Sequence, residues 1–290
     1  MKMVDVSVII PCYNAEQFIQ NTLDAIINQT RPPREIIVVD DGSSDKTLDI
    51  LQLYKNKIKV ISIENSGPSV ARNIGIKAAT SKYIAFCDAD DIWVLDKLEN
   101  QLHYFGKPFI FSASKNFSSF GTPNLVYQHP TPEMLSKKEG ILLNNFVTTS
   151  SVLVLKSVLE EVGLFDKRFK CSEDWHLWIR IRRLYDFVYI RKPLVKYNLR
   201  PHSLSRNYIN LFFQTKEVIE DIFSKYAQDF QIDKIDVLKK HCYSAACMAY
   251  YMKKYDESLR LLKELYKIQG VDFVLLRLFL KNYIRKLFKR

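Results

Sequence analysis

Two hydrophobic periods alternate along the first third of the chain. Short, near-continuously apolar and β-branched runs at Val6–Ile10, Ile36–Val39, Lys59–Ile63 and Tyr83–Cys87 read as buried strands. Between them, Phe18, Ile19, Thr22, Leu23, Ile26 and Ile27, then Leu48, Ile50, Leu51 and Tyr54, recur at helical spacing. Strands that alternate with helices in this way predict a doubly wound, mostly parallel α/β sheet with helices on both faces. Ligands of such sheets sit beyond the carboxyl ends of the strands, which places Pro11–Asn14, Asp40–Asp45 and Asp88–Asp91 along one rim.

The regularity then weakens. Gly106 to about Pro132 reads as irregular strands and loops, Ser150–Leu155 as a strand, and a helix is expected to begin near Glu173. Phe187–Ile190 and Leu194–Leu199 predict two more strands. After about Ser205 only long helical patterns follow: Asn210–Tyr226, Ile235–Lys253, Tyr255–Ile268 and Val271–Lys289. The expected organisation is an α/β domain over 1–205, with a nucleotide-binding half (1–105) and an acceptor half (106–205), followed by an α-helical appendage over 206–290.

Composition agrees with a globular chain. It has 290 residues, 47% of them hydrophobic, with 8 Gly and 10 Pro, which excludes wholesale disorder and collagen-like repeats. A net charge of +11 points to anionic partners: nucleotide, nucleic acid or membrane surface. Five scattered cysteines, none spaced CxxC, argue against a disulfide framework or zinc site and for a reducing compartment. No leader-like N-terminus and no run of about 18 apolar residues is present, so a cytoplasmic protein is expected.

Four clusters carry candidate chemistry. Cys87-Asp88-Ala89-Asp90-Asp91 closes a strand with three mutually repelling carboxylates. Either a hard cation (Mg²⁺ or Mn²⁺) or a sugar compensates them, or they form a solvated turn with Asp91 near the cap of the next helix. Val39-Asp40-Asp41-Gly42-Ser43-Ser44-Asp45 is a second acidic strand end, able to accept from a base N–H or a ribose hydroxyl. Ser66–Gly75 starts a helix near Pro68 and sets Arg72 one turn in, to pair with a diphosphate or a neighbouring carboxylate or to stay a surface arginine. In Ser172-Glu173-Asp174-Trp175-His176-Leu177-Trp178 the acids either cap a helix or supply a general base, and the two indoles are core or a sugar platform.

Jointly, Val8-Ile9-Ile10-Pro11-Cys12-Tyr13-Asn14, Val39-Asp40-Asp41-Gly42-Ser43, Ala71-Arg72-Asn73-Ile74-Gly75, the DxD-like Asp88-Ala89-Asp90 and Glu173-Asp174 resemble the motifs of the family 2 glycosyltransferases of GT-A fold, inverting enzymes of bacterial polysaccharide and O-antigen type. The likeness covers roughly residues 4–205. It implies that Pro11, Tyr13 and Asp41 hold the nucleobase, that Arg72 approaches the nucleotide, Asp88 the ribose and Asp90 a Mn²⁺ or Mg²⁺ ion on the diphosphate. It further implies that Asp174 is the catalytic base, with Glu173 its neighbour near the acceptor. Tyr197–Ser205 resembles the family's late basic loop, in which Arg200 and His202 would close over the phosphates; Asn198 stands where an arginine is common. The donor implied is a nucleotide sugar, UDP favoured, and the acceptor a saccharide or a lipid-linked sugar.

The stretch Val271–Arg290 carries six bases and one acid among apolar residues, as in a helix lying on anionic lipid or one packed on the protein with a basic end. Two other functions compete. A glycosidase with paired carboxylates leaves Asp41 and Arg72 unexplained. A non-catalytic nucleotide-sugar- or nucleic-acid-binding protein fits the charge, yet no helix-turn-helix, zinc-finger, RNP, GxGxxG or P-loop pattern is evident, so no nucleic-acid partner is expected.

Overall fold

The computed structural model describes residues 3–117, 129–198, 208–270, 277–282 and 285. The chain divides into two compact units, Met1–Leu135 with Phe146–Pro201 and Ser136–Asn145 with His202–Arg290. The first unit holds β1 (Val4–Cys12), α1 (Ile19–Ile27), β2 (Pro33–Asp40), α2 (Thr47–Gln52), β3 (Lys59–Ser62), α3 (Pro68–Ala78), β4 (Tyr83–Phe86), β5 (Ile92–Trp93), α4 (Lys97–Leu102) and β6 (Phe109–Phe117). Beyond a short helix α5 (Pro132–Ser136) and α6 (Gly140–Leu143) it continues with β7 (Leu153–Leu155), α7 (Lys156–Val162), α8 (Glu173–Leu184) and β8 (Phe187–Asn198). Its sheet runs β3-β2-β1-β4-β7-β6-β8-β5 among the described residues.

The first four strands pair in parallel, as the sequence predicts. β1 is buried on both faces because its side chains alternate between two helix layers. Val8 and Ile10 join Ile19, Leu23, Leu51 and Leu98 of α1, α2 and α4 in one core. Ile9 points the other way, at Gly75 of α3, where an added Cβ would lie 2.5 Å from Ile9 Cγ2. Phe86 on β4 likewise meets Phe165 and Trp178.

β7 breaks the parallel order: it runs antiparallel to both β4 and β6. Its register sets Leu153 beside Ala85 and Leu155 beside Tyr83. Residues just before Leu153 therefore sit next to residues just after Phe86, at the rim where the acidic turn 88–91 emerges.

Two expectations are corrected here. Phe109–Phe117, expected among irregular strands and loops, is one continuous nine-residue strand paired in parallel with β8. The two strands expected at 187–190 and 194–199 are one strand, β8, whose register shifts between the pairs Ser112–Ile190 and Ala113–Pro193. Proline has no N–H for the ladder, so the irregularity falls where pairing would fail.

The second unit contains α9 (Tyr208–Tyr226), α10 (Lys234–Tyr251) and α11 (Tyr255–Gln269), close to the helices expected. Phe212, Cys242, Ala246, Leu261, Leu262 and Leu265 form its core. The segment 136–145, expected within the acceptor half, belongs to this unit: His241 Nε2 lies 2.7 Å from Leu142 O and Lys240 Nζ 3.0 Å from Leu143 O. Burial pushes the His241 imidazole down to about 4, so it stays neutral. Most of Val271–Arg290 lies outside the described residues, though 277–282 are helical. Among the described residues no helix is long and apolar enough to cross a membrane.

Candidate active site

The rim expected from the strand ends is stitched together by backbone-to-side-chain hydrogen bonds. β1 ends at Cys12 and the chain turns at Asn14, whose φ of 47° is left-handed. Asn14 Oδ1 accepts from Ser44 N at 2.8 Å and Asn14 N donates to Ser43 Oγ at 2.9 Å. Asp45 Oδ2 accepts from Glu16 N and Asp45 Oδ1 from Thr47 N, which binds the loop after β1 to the loop after β2. Pro11 is half-buried on this rim, and Tyr13 keeps 51% of its surface exposed, so its ring is open to a stacking partner.

Asp41 follows β2 and is 5% exposed. Its two oxygens accept from Ser66 N at 2.7 Å and Gly67 N at 2.8 Å, the residues that lead into α3. Gly67 needs its φ of 89° to present that N–H. Each Asp41 oxygen retains a second lone pair, so the same contacts that fix the α3 entry also aim the carboxylate.

Arg72, for which a diphosphate, a neighbouring carboxylate or the open surface were the alternatives, is buried between two carboxylates. Its Nη2 donates to Asp88 Oδ1 and its Nη1 to Glu173 Oε1, both at 2.8 Å. Burial pulls the guanidinium pKa down, but Asp88 and then Glu173 outweigh it and hold the group charged. Burial pushes Glu173 above its ordinary value although Arg72 opposes the shift. The acids that open α8 are thus not simple caps: Ser172, at the N-cap, makes no side-chain cap bond.

Asp174 stands one residue on. Thr149 Oγ1 donates to its Oδ2 at 2.8 Å, and Trp175 N to its Oδ1 at 2.6 Å. Burial raises its pKa, with Thr149 and Arg72 pulling it back and Asp88 adding to the rise. Arg72, bonded to both Asp88 and Glu173, brings the two acidic clusters into one neighbourhood. Trp175 and Trp178 are 2% and 0% exposed; Trp178 packs on Phe86, Phe109 and Phe165, so the indoles are core and not a sugar platform.

In the turn 88–91 the three carboxylates have different surroundings. Asp88 is tied to Arg72, and Asp90 is half-buried. Asp91 is 1% exposed and does not cap a helix, because β5 and a loop separate it from α4. Its Oδ2 accepts from Ser150 Oγ at 2.5 Å and its Oδ1 from Asn198 N at 2.9 Å. Burial, then Asp88 and Asp90, push its pKa well up. No group of three metal-ligating side chains occurs among the described residues. An all-oxygen pair, Asp88 and Asp90, still suits a hard cation that completes its shell with phosphate and water. Arg200 and His202 lie outside the described residues.

Sequence reasoning did not single out Thr149 and Ser150. They form a 3₁₀ turn, Thr149–Ser151, directly before β7. A run of four hydroxyl residues ahead of an apolar strand is the one signal that marked it.

Comparison with known proteins agrees with this geometry. Residues 7–163 match the model of glycosyl transferase family 2. The chain is 32% identical over 206 residues to the UDP-Glc:alpha-D-GlcNAc-diphosphoundecaprenol beta-1,3-glucosyltransferase WfgD of Escherichia coli, covering 70% of this chain and 80% of that protein. Among solved structures it resembles S. aureus TarS 1-349 in complex with UDP-GlcNAc, with a TM-score of 0.67 and 20% identity over 91% of this chain and 81% of the other. It also resembles the mannosyltransferase PcManGT from Pyrobaculum calidifontis in complex with GDP-Man and Mn²⁺, with a TM-score of 0.61 and 15% identity over 100% of this chain and 88% of the other. These two structures share its GT-A fold. An α/β rim that joins Arg72, Asp88, Glu173 and Asp174, on a chain matched over more than half its length, belongs to a glycosyltransferase of family 2.

Proposed function

We propose that this glycosyltransferase moves a sugar, with inversion, from a UDP-sugar to a hydroxyl of a saccharide or lipid-linked acceptor in cell-surface polysaccharide synthesis. The observation that carries the reading is the convergence of the strand-end acids and the Glu173–Asp174 pair through Arg72. WfgD, similar along 70% of the chain, supports a UDP-sugar donor and a lipid-linked acceptor.

In this reading Tyr13 stacks on the base, with Pro11 beside it. Asp41, held by Ser66 and Gly67, accepts from the base edge, and Asp88 meets the ribose. Arg72 contributes through Asp88, which it orients. Asp174 takes the proton of the acceptor hydroxyl as that oxygen attacks the anomeric carbon; the bond to the diphosphate breaks and its electron pair leaves with the nucleoside diphosphate. A base whose pKa is raised by burial holds the proton more firmly, which favours its transfer. Asp90, with Asp88 near it, would hold a Mn²⁺ or Mg²⁺ ion, and Arg200 and His202 are assigned to the phosphates. When bound, that ion supplies Lewis-acid neutralisation of the leaving diphosphate. The basic stretch Val271–Arg290 is assigned to an anionic membrane surface at the cytoplasmic face.

The test is calorimetric titration with UDP-, GDP- and dTDP-sugars in the presence of Mn²⁺, followed by EDTA. Saturable binding of a UDP-sugar that EDTA abolishes is the expected result; binding of no nucleotide sugar overturns the assignment. Retention of configuration in the product overturns the single displacement.

A further inference from the structure

We propose that the buried 3₁₀ turn Thr149–Ser151 is the positioning element of the site, with Thr149 aiming the base and Ser150 the donor-side acids. This rests on the reading of Asp174 as the base and goes beyond it by assigning roles to two residues outside every motif described above.

The geometry divides between adjacent hydroxyls. Thr149 Oγ1 donates to Asp174 Oδ2 at 2.8 Å, while Ser150 Oγ donates to Asp91 Oδ2 at 2.5 Å and accepts from Asp88 N at 2.9 Å. Thr149 is 6% exposed and Ser150 fully buried, so water does not substitute for either bond. The turn is itself pinned. Trp93 Nε1 donates to Ser150 O and Gln101 Nε2 to Ser151 O, at 2.9 and 2.8 Å. Ser151 Oγ closes the turn on Thr148 O, and the Thr148 hydroxyl pairs with Ser114 of β6. Every member is on or beside a strand or helix of the first unit, as a rigid positioning shell requires.

With Trp175 N on Oδ1 and Thr149 on Oδ2, the Asp174 carboxylate cannot rotate, and each oxygen keeps one lone pair for an acceptor hydroxyl. The charged groups that face it are Arg72 from α3, Asp88 from the turn after β4 and Glu173 of its own helix. Thr149 Oγ1 and Trp175 N are the uncharged donors beside these influences, and Thr149 is the one that a side-chain substitution removes. A hydrogen bond to the ionised form favours that form. Loss of the hydroxyl therefore both frees the carboxylate and moves its protonation to higher pH.

The experiment compares wild type, Thr149→Val, Thr149→Ser and Ser150→Ala, with UDP binding, release of UDP from UDP-glucose and UDP-GlcNAc against pH, and melting temperature measured on each. Thr149→Val is expected to lower turnover about 10-fold or more, the size of one hydrogen bond to a charged group, with UDP affinity unchanged. Its acid limb moves to higher pH, and Thr149→Ser restores both rate and limb. Ser150→Ala is expected to do the reverse, weakening UDP about 10-fold while the turnover of bound donor stays within about 3-fold. If Thr149→Val matches wild type, or if Val and Ser variants lose UDP affinity and turnover together as their melting temperatures fall, the turn is a structural element and the proposal is overturned. Wild-type protein that neither binds UDP nor releases it removes the proposed function itself, a result separate from any difference among variants.

Discussion

Arg72 and Glu173, 101 positions apart in sequence, meet at 2.8 Å in the protein interior. Arg72 holds Asp88 at the same distance, so one guanidinium compensates two carboxylates that are each less than a third exposed. Removing one partner of a buried pair leaves an uncompensated charge. Arg72→Met is expected to cost about 3 kcal/mol of stability in urea unfolding. Arg72→Lys, which keeps the charge but not the two-pronged fork, is expected to fall between it and wild type.

Asp174→Asn and Asp90→Asn should damage the enzyme by different routes. The first is expected to reduce turnover by about 10² to 10⁴ with donor affinity kept, because it removes only proton transfer. The second should weaken donor binding in the presence of Mn²⁺ and make it insensitive to EDTA. Donor titrations beside turnover rates separate the two, and unchanged turnover in Asp174→Asn overturns the assignment of the base.

Gly75 is required by packing and not by its backbone angle. A Cβ there would stand 2.5 Å from Ile9 Cγ2 in the strand below. Gly75→Ala is expected to destabilise the protein by about 1–3 kcal/mol, the cost of overpacking. In the double variant with Ile9→Ala, the combined loss in thermal melts should be smaller than the sum of the two separate losses, since the clashing methyl is gone.

Lys97 is fully buried, its Nζ 3.7 Å from the centre of the Trp93 ring and 2.8 Å from Gln101 Oε1. Burial pulls its pKa down to about 7. The unfolded chain then binds more protons than the fold between that value and the ordinary lysine pKa of about 10.4, so stability rises with pH across this window. Wild type is expected to gain about 2 kcal/mol relative to Lys97→Met between pH 7 and pH 9 in denaturant titrations.

The parallel half of the sheet was legible because β1, β2 and β4 carry near-continuous apolar runs, and β2 and β4 lead into acidic turns; unlike charge, that pattern depends on no distant partner. β6 was not. The Ser and Asn content of 106–132 reads as irregular strands and loops, yet Ser112, Ser114 and Asn116 are buried in one continuous strand, with Ser114 satisfied by Thr148. Polarity misleads where a hydroxyl finds a partner that only tertiary structure supplies. The acids of the site were visible as clusters of like charge. Arg72 was visible as a candidate partner for a carboxylate; Thr149 and Ser150 were not, since they meet residues 25 to 62 positions away only once β7 runs backwards between β4 and β6.

That reversed strand also sets a timetable for biogenesis. When a ribosome has delivered residues 88–91, Asp91 has neither of its partners, for Ser150 lies 59 residues and Asn198 107 residues further along. A nascent chain halted in between would have Arg72 to compensate Asp88 but no hydrogen-bond partner for Asp91, which favours an open conformation of the turn. Closure of the acidic turn is thereby expected to wait until almost the whole first unit has been made.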